Sequence, residues 1–198
     1  MAPGHGECTP TPILTPETPL ALKRLLEVHG VDFSNWGSGA TKSLEALAGE
    51  LKGGESRLQI DEGGLTRVVS VVGVDVLFED REHGVLRLVE AEQRFTGGSV
   101  RQRQLRTSLG EKQLPGESPL AAAKRAIEEA LGLPARTLQF KQLRSETDEG
   151  PSSSYPGLRS LRHLTYFECL LPAPLFDSMG YEECQLDKVT SFTWCQAS

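Results

Sequence analysis

The sequence predicts an α/β protein: a mixed β-sheet with helices packed on it, and a helical extension at the N-terminus. Three observations carry that class. Apolar residues recur at helical spacing in three capped segments, at 19–28, 43–52 and 119–131. Runs of strand-like composition fill 65–78, 85–95 and 100–106, and again 137–144, 161–171 and 189–195. The order is helices, three strands, a helix, then more strands, which puts helices against a sheet rather than in a bundle.

Residues 1–18 are rich in Pro and Thr and read as a tail. Thr18 is an N-cap candidate with Pro19 at the first helical position. Leu20, Leu22, Leu25, Leu26 and Val28 then follow at roughly helical spacing, and Gly30 closes the segment. The second helix sets Leu44, Leu47 and Leu51 on one face and stops at Gly53 and Gly54. LTRVVSVVGVDVLF (65–78) is Val-rich and reads as a largely buried strand. Thr96-Gly97-Gly98-Ser99 marks a hairpin turn between the next two strands. A glycine-containing loop over 109–117 leads to the third helix. Ser118 is its N-cap, Pro119 its first residue and Gly132 its stop, with Leu120, Ala123, Ile127 and Leu131 as its apolar stripe. SETDEGPSSSYPG (145–157) reads as a polar loop between strands.

Composition narrows the function classes. The chain has 198 residues, enough for one domain with a core of its own, and no internal repeat. Its 27 Asp and Glu against 21 Lys and Arg give a formal net charge of −6, so nucleic-acid binding is not expected. No apolar run approaches the roughly 20 residues of a membrane span, so no membrane partner is expected. The first residues lack both the charged and the apolar regions of a secretory signal. Cys8, Cys169, Cys184 and Cys195 form no CxxC pair, and His5, His29, His83 and His163 are scattered. Reduced thiols in a cytoplasmic setting are the consistent reading.

The chemistry concentrates in Gly110–Leu133, GEKQLPGESPLAAAKRAIEEALGL. This stretch resembles the Nudix box, G-x5-E-x7-R-E-U-x-E-E-x-G-U with U aliphatic. Aligned without gaps, Glu117 takes the first Glu and Arg125 the Arg. Ile127 takes the aliphatic place, Glu129 the first of the paired Glu, and Gly132-Leu133 the close. SLGEKQLPGES and SSYPGL further resemble a Nudix-like group of plants and green algae. The resemblance covers roughly residues 65–195. It implies a sandwich of helices around a mixed sheet, and a division into a tail (1–18), a helical extension (19–60) and a Nudix-like domain (61–198). The sequence ends shortly after its last strand, where many of that family continue into a helix.

The departures bear on activity. Glu111 stands at the opening Gly of the pattern, Ala126 at the Glu after the Arg, and Ala130 at the second of the paired Glu. In the family these helix carboxylates hold Mg²⁺ against a diphosphate, so that the metal offsets phosphate charge and activates water. Positions 126, 129 and 130 converge on one helix face, and here that face reads Ala, Glu, Ala. Glu129 is the one metal ligand the resemblance leaves. Glu128 lies about 100° round the helix from it and reads as solvated. Glu117 and Arg125 are implied to fix the loop to the helix, and Arg125 is also placed to pair with Glu129 at i, i+4.

Arg94, Arg101, Arg103, Arg106 and Lys112 concentrate positive charge in an acidic chain. One reading is a phosphate-binding cradle, with Arg101, Arg103 and Lys112 as substrate contacts. The other is the solvated face of a hairpin. Trp194 reads as core and Trp36 as an anchor for the N-terminal segment. Tyr155 reads either as a base-stacking residue or as a turn residue, and Cys8 as an exposed thiol without a basic neighbour.

The leading expectation is a catalytically degraded Nudix-fold protein acting as a protein-binding or assembly module, with a protein partner and no cofactor. The alternatives are a divergent Mg-dependent hydrolase of nucleoside diphosphate-linked compounds using Glu129, and a nucleotide sensor that does not hydrolyse.

Overall fold

The computed structural model describes residues 13, 14, 16, 18–39 and 41–197, so the tail is described only in part and Cys8 and His5 lie outside the described residues. The chain forms two compact units. One comprises the residues up to 69 together with 148–162, and the other comprises 70–147 together with the residues from 163 onward. The expected α/β class, with helices packed on a sheet, is the one observed.

The first unit holds β1 (Ile13–Leu14), α1 (Pro19–Val28), α2 (Leu44–Lys52) and β2 (Arg57–Asp61). Both helices start where the sequence says. Thr18 Oγ1 accepts from Ala21 N at 3.1 Å, and Ser43 Oγ accepts from Ala46 N at 3.2 Å. β1 and the first residues of β3 (Gly64–Asp80) pair with β2, both antiparallel. Leu22, Leu26, Leu47, Leu58, Leu65, Tyr155 and Leu158 form the core. Leu20 and Val28 of α1 are exposed, so the buried stripe is narrower than the sequence pattern. Tyr155 is wholly buried, which rules out the base-stacking reading for this conformation. Trp36 packs against its ring and donates Nε1–H to Pro156 O at 2.9 Å, tying the N-terminal segment to the SSYPG turn. Gly157, at φ 86°, lets that turn approach Asp32.

The second unit holds the rest of β3, then β4 (Gly84–Phe95), β5 (Val100–Arg101), β6 (Leu109–Lys112), α3 (Pro119–Leu131), β9 (Tyr181–Cys184) and β10 (Lys188–Gln196). β7 (Phe140–Pro151) and β8 (Arg159–Leu170) each belong partly to this unit and partly to the first, β7 leaving it after residue 147 and β8 entering it at residue 163. β3 pairs with β6 over Val71–Val74 and with β4 over Leu77–Asp80, and β10 lies between β4 and β9. Val72, Val74 and Val76 of β3 meet Ala122, Ala123, Ala126, Ile127 and Leu131 of α3 in the core. The helix stripe is thus shifted from the expected one, and Leu120 is exposed. Trp194 sits among Phe78, Phe176 and Tyr181, partly buried, and donates to Asp177 O at 2.7 Å.

Three strand readings need correction. The strand expected at 100–106 ends at Arg101, because Arg103 turns aside to meet Glu90. The loop expected at 109–117 begins with a strand, β6, which finds its partner in β3. The polar loop expected from 145 is strand as far as Pro151. Its side chains meet those of β8 in antiparallel order, with Ser145 Oγ 3.2 Å from Thr165 Oγ1 and Thr147 Oγ1 3.4 Å from His163 Nδ1.

Candidate functional site

The site is built in the second unit from the end of β6, the loop 113–118 and α3. The loop is pinned at both ends. Gln113 N donates to Ser70 O at 2.9 Å, and Ser118 Oγ caps the helix by accepting from Ala121 N at 3.2 Å. Glu117 folds back into the loop, where its Oε2 accepts from Leu114 N at 2.9 Å. The helix closes on Gly132 at φ 66°, the left-handed conformation that glycine adopts without steric cost.

Arg125 is the hub. Its Nε reaches Glu117 Oε1 at 3.0 Å and its Nη2 reaches Glu117 Oε2 at 3.1 Å, a two-pronged ion pair. Nη2 also donates to Lys112 O at 2.7 Å, which joins β6, the loop and the helix. Nη1 lies 3.2 Å from Glu129 Oε2 and 3.5 Å from Glu111 Oε1. The electrostatics follow. The Arg125 hydrogen bond holds the Glu117 carboxyl below its ordinary range. The same bond, first among its causes, raises the Arg125 guanidinium further above its already high value. Burial pushes Glu111 up, and the neighbouring Glu129 charge adds to this while Arg125 opposes it.

A cleft of about 160 Å³ opens beside this hub, small against the roughly 300–1,000 Å³ of ligand-sized pockets. Glu111, Ala126, Glu129 and Ala130 form its helix side. Ala126 is buried in the core, and Ala130 packs against it. Across the cleft, the buried Glu90 is held by Arg103, whose Nε lies 2.8 Å from Glu90 Oε1, and Lys188 completes the wall.

Of the residues read from sequence, Glu117, Arg125 and Glu129 come together. Arg103 lines the cleft, but its guanidinium is engaged by Glu90. Arg101 and Lys112 do not line it. Arg94 pairs with Glu92 and Glu182, and Arg106 reaches Glu146 at 3.9 Å, so the basic concentration does not close into one cradle. Glu128 is exposed. Glu90, Glu111, Glu183 and Lys188 are the charged cleft residues that sequence reasoning did not assign. Glu111 was visible only as a departure from the pattern. Alternation along β4 was the one signal for Glu90.

The residues present do not fit a resident divalent cation. Ala126 and Ala130 offer no donor, and the two remaining helix-side carboxylates share one guanidinium nitrogen. Among the described residues no group of three His, Cys, Asp or Glu is placed to hold a metal.

Fold and site together define an α/β protein in which an Arg125–Glu117 ion pair ties a loop to a helix, and whose helix positions 126, 129 and 130 carry one carboxylate, Glu129. No family model and no curated protein matches the chain. Among solved structures it is similar to the Ap4A hydrolase of C. elegans, at 16% identity over 65% of this chain and 80% of that one, with a TM-score of 0.39. DR0079 from Deinococcus radiodurans matches at 15% identity, over 65% and 67%, with a TM-score of 0.35. The ORF135 protein of E. coli matches at 17% identity, over 65% and 74%, with a TM-score of 0.31. Among the described residues no helix is long and apolar enough to cross a membrane.

Proposed function

We propose that this chain is a catalytically degraded Nudix-fold protein that serves as a protein-binding or assembly module in the cytoplasm. The observation that supports this reading is the helix face beside Glu129. Methyl groups of Ala126 and Ala130 stand where the box calls for carboxylates, and Arg125 engages both Glu129 and Glu111. A guanidinium so placed supplies the positive charge that a cation would bring, and it cannot carry a water nucleophile. The ion pair to Glu117 preserves the loop without any need for turnover.

The test is direct. Purified protein is incubated with Mg²⁺ and a panel of nucleoside diphosphate-linked compounds, and no hydrolysis is expected. Turnover that disappears in Glu129→Gln sinks the proposal. One observation favours a second reading, a divergent Mg-dependent hydrolase. Glu111 stands within reach of the same Arg125 nitrogen as Glu129, so two carboxylates flank one point on the cleft wall. Mg²⁺ is held in some sites by two carboxylates and substrate phosphates. That reading requires Glu111→Gln to abolish turnover as well.

A further inference from the structure

Strand β7 is an edge. It pairs with β8 and with no other strand, so among the described residues the backbone groups of its far side meet no strand. It is twelve residues long, and from Lys141 to Glu149 every residue but Glu146 is exposed. Leu143 is 42% exposed on it. Long open edges are templates for pairing with another chain, and proteins commonly blunt them with charged side chains, bulges, prolines or short length; β7 carries charges, so their arrangement decides what the edge can pair with. β7 has its one proline, Pro151, at its last position.

The charges along β7 are segregated. Lys141 and Arg144 occupy the first half, and Glu146, Asp148 and Glu149 the second. We propose that β7 is the interface of a homodimer, in which two copies pair antiparallel through this edge with Ser145 at the two-fold axis. Residues whose numbers sum to 290 then stand opposite each other. Arg144 faces Glu146 of the second copy, and Glu146 faces its Arg144, on the face of the strand that carries Tyr166. Leu143 faces Thr147 on the other face. The same register, continued along the strand, sets Lys141 against Glu149, which Arg159 also engages within its own chain. Antiparallel two-fold pairing makes every such contact occur twice, and opposite charges directly across a strand pair attract. Parallel pairing in register sets Arg144 against Arg144 and Glu146 against Glu146, and is repelled. Within one chain Arg144 and Glu146 sit 3.4 Å apart at 57% and 36% exposure. Arg144 also lies over the Tyr166 ring and Glu146 accepts from Tyr166 Oη at 2.9 Å, so a second copy would add its charges to a cluster already held in place and partly solvated.

The proposal rests on the assembly reading and gives that assembly a surface. Sedimentation velocity of the full chain from about 1 to 100 µM is expected to show a monomer–dimer equilibrium that weakens with added salt. Arg144→Glu alone and Glu146→Arg alone are each expected to weaken the dimer about tenfold or more, with unchanged circular dichroism. An equimolar mixture of the two variants is expected to regain association. In the mixed dimer the two introduced charges, opposite in sign, face each other across the interface, and the native Glu146 of one variant faces the native Arg144 of the other. Repair inside one chain cannot produce that rescue. Lys141→Glu, tested alone, is expected to weaken the dimer by a smaller factor. A monomer throughout the range overturns the proposal, and so does a dimer indifferent to both substitutions or a mixture without rescue. The hydrolysis assay, run on the same samples, separates the two claims. Turnover in a β7-paired dimer overturns the degraded-site reading alone, and a monomer without turnover overturns the interface alone.

Discussion

Each unit of this protein contains an arginine held by glutamate, and the two are organised in opposite ways. In the first unit a carboxylate is the centre. Glu50, 5% exposed, receives Arg67 Nη2 at 2.6 Å, Lys42 Nζ at 2.7 Å and Ser56 Oγ at 3.2 Å. Arg67 also lies over the Tyr155 ring, 5.3 Å from its centroid. In the second unit a guanidinium is the centre. Arg125 gathers Glu117, Glu129 and Glu111 at the margin of an open cleft. A charge buried in a core must be matched or it costs several kcal/mol, whereas a charge at a cleft margin is partly served by water. The first network therefore carries stability. The second carries loop geometry, and its outermost members are free to serve chemistry or to lose it.

The largest effect expected from this contrast is at Glu50. Glu50→Ala leaves Arg67 buried with its carboxylate gone, and the loss is expected to be about 3–5 kcal/mol. Denaturant unfolding measures it. A change below about 1 kcal/mol means that water reaches Arg67, and the contrast between a buried and an open network collapses.

How much of each network was legible in the sequence differs for a physical reason. The spacing from Glu117 to Arg125 is local. One loop and two helical turns set it, and the caps at Ser118 and Gly132 mark where those turns begin and end. The same is true of α1, announced by Thr18, of α2, announced by its leucine spacing and the Gly53-Gly54 stop, and of β3, whose valines fill a buried strand. Glu50 and Arg67 carry no such mark, since a helix residue and a strand residue meet only after α2 has packed against β2. Glu111 was obscured likewise, because β6 is a strand only by virtue of its pairing with β3. While the first half of β7 falls within the strand expected at 137–144, its second half, from Ser145, reads as a loop for the converse reason. Both its faces are exposed, so no apolar alternation distinguishes it from a loop, and β8 alone makes it a strand.

The next prediction sharpens the difference inside the Arg125 network. Glu117 is held below its ordinary range by Arg125, and Glu111 is pushed above its range by burial. The signs of their pH dependence are therefore opposite. The Glu117 contribution is present above its unfolded value, and is lost as pH falls through its depressed folded value. The Glu111 contribution is present below its unfolded value, and is lost as pH rises through its raised folded value. Glu117→Gln is thus expected to cost about 1–3 kcal/mol at pH 7, and the deficit is expected to shrink in acid as the wild type loses its own ion pair. Glu111→Gln is expected to raise the melting temperature at pH 7, with the gain vanishing in acid. Melting curves of both variants across the acid range measure this. Parallel profiles for the two would mean that Glu111 and Glu117 play one role, not two.

The smallest effect is expected at Glu129, the one carboxylate among helix positions 126, 129 and 130. The Glu129 side chain is 56% exposed, and its partner Arg125 is one helical turn away on the same helix. Exposed pairs at this spacing contribute about 0.3–0.5 kcal/mol, because water screens the attraction and two long side chains must be held still. Glu129→Gln should therefore leave the melting temperature within about 2 °C of the parent, and millimolar Mg²⁺ should shift neither protein. A residue kept for chemistry gives the other signature, little change in stability together with a metal-dependent shift in the parent that the variant lacks. Binding to the native state alone stabilises it by RT ln(1 + c/Kd) at free ligand concentration c, so a cation site with a Kd at or below the added concentration is visible in such a pair of melts. Arg125 is what makes the two outcomes separable. While its Nη1 holds Glu129, a cation must displace the guanidinium before it gains the carboxylate, and that competition draws on the same ion pairs that fix Glu117 and the loop.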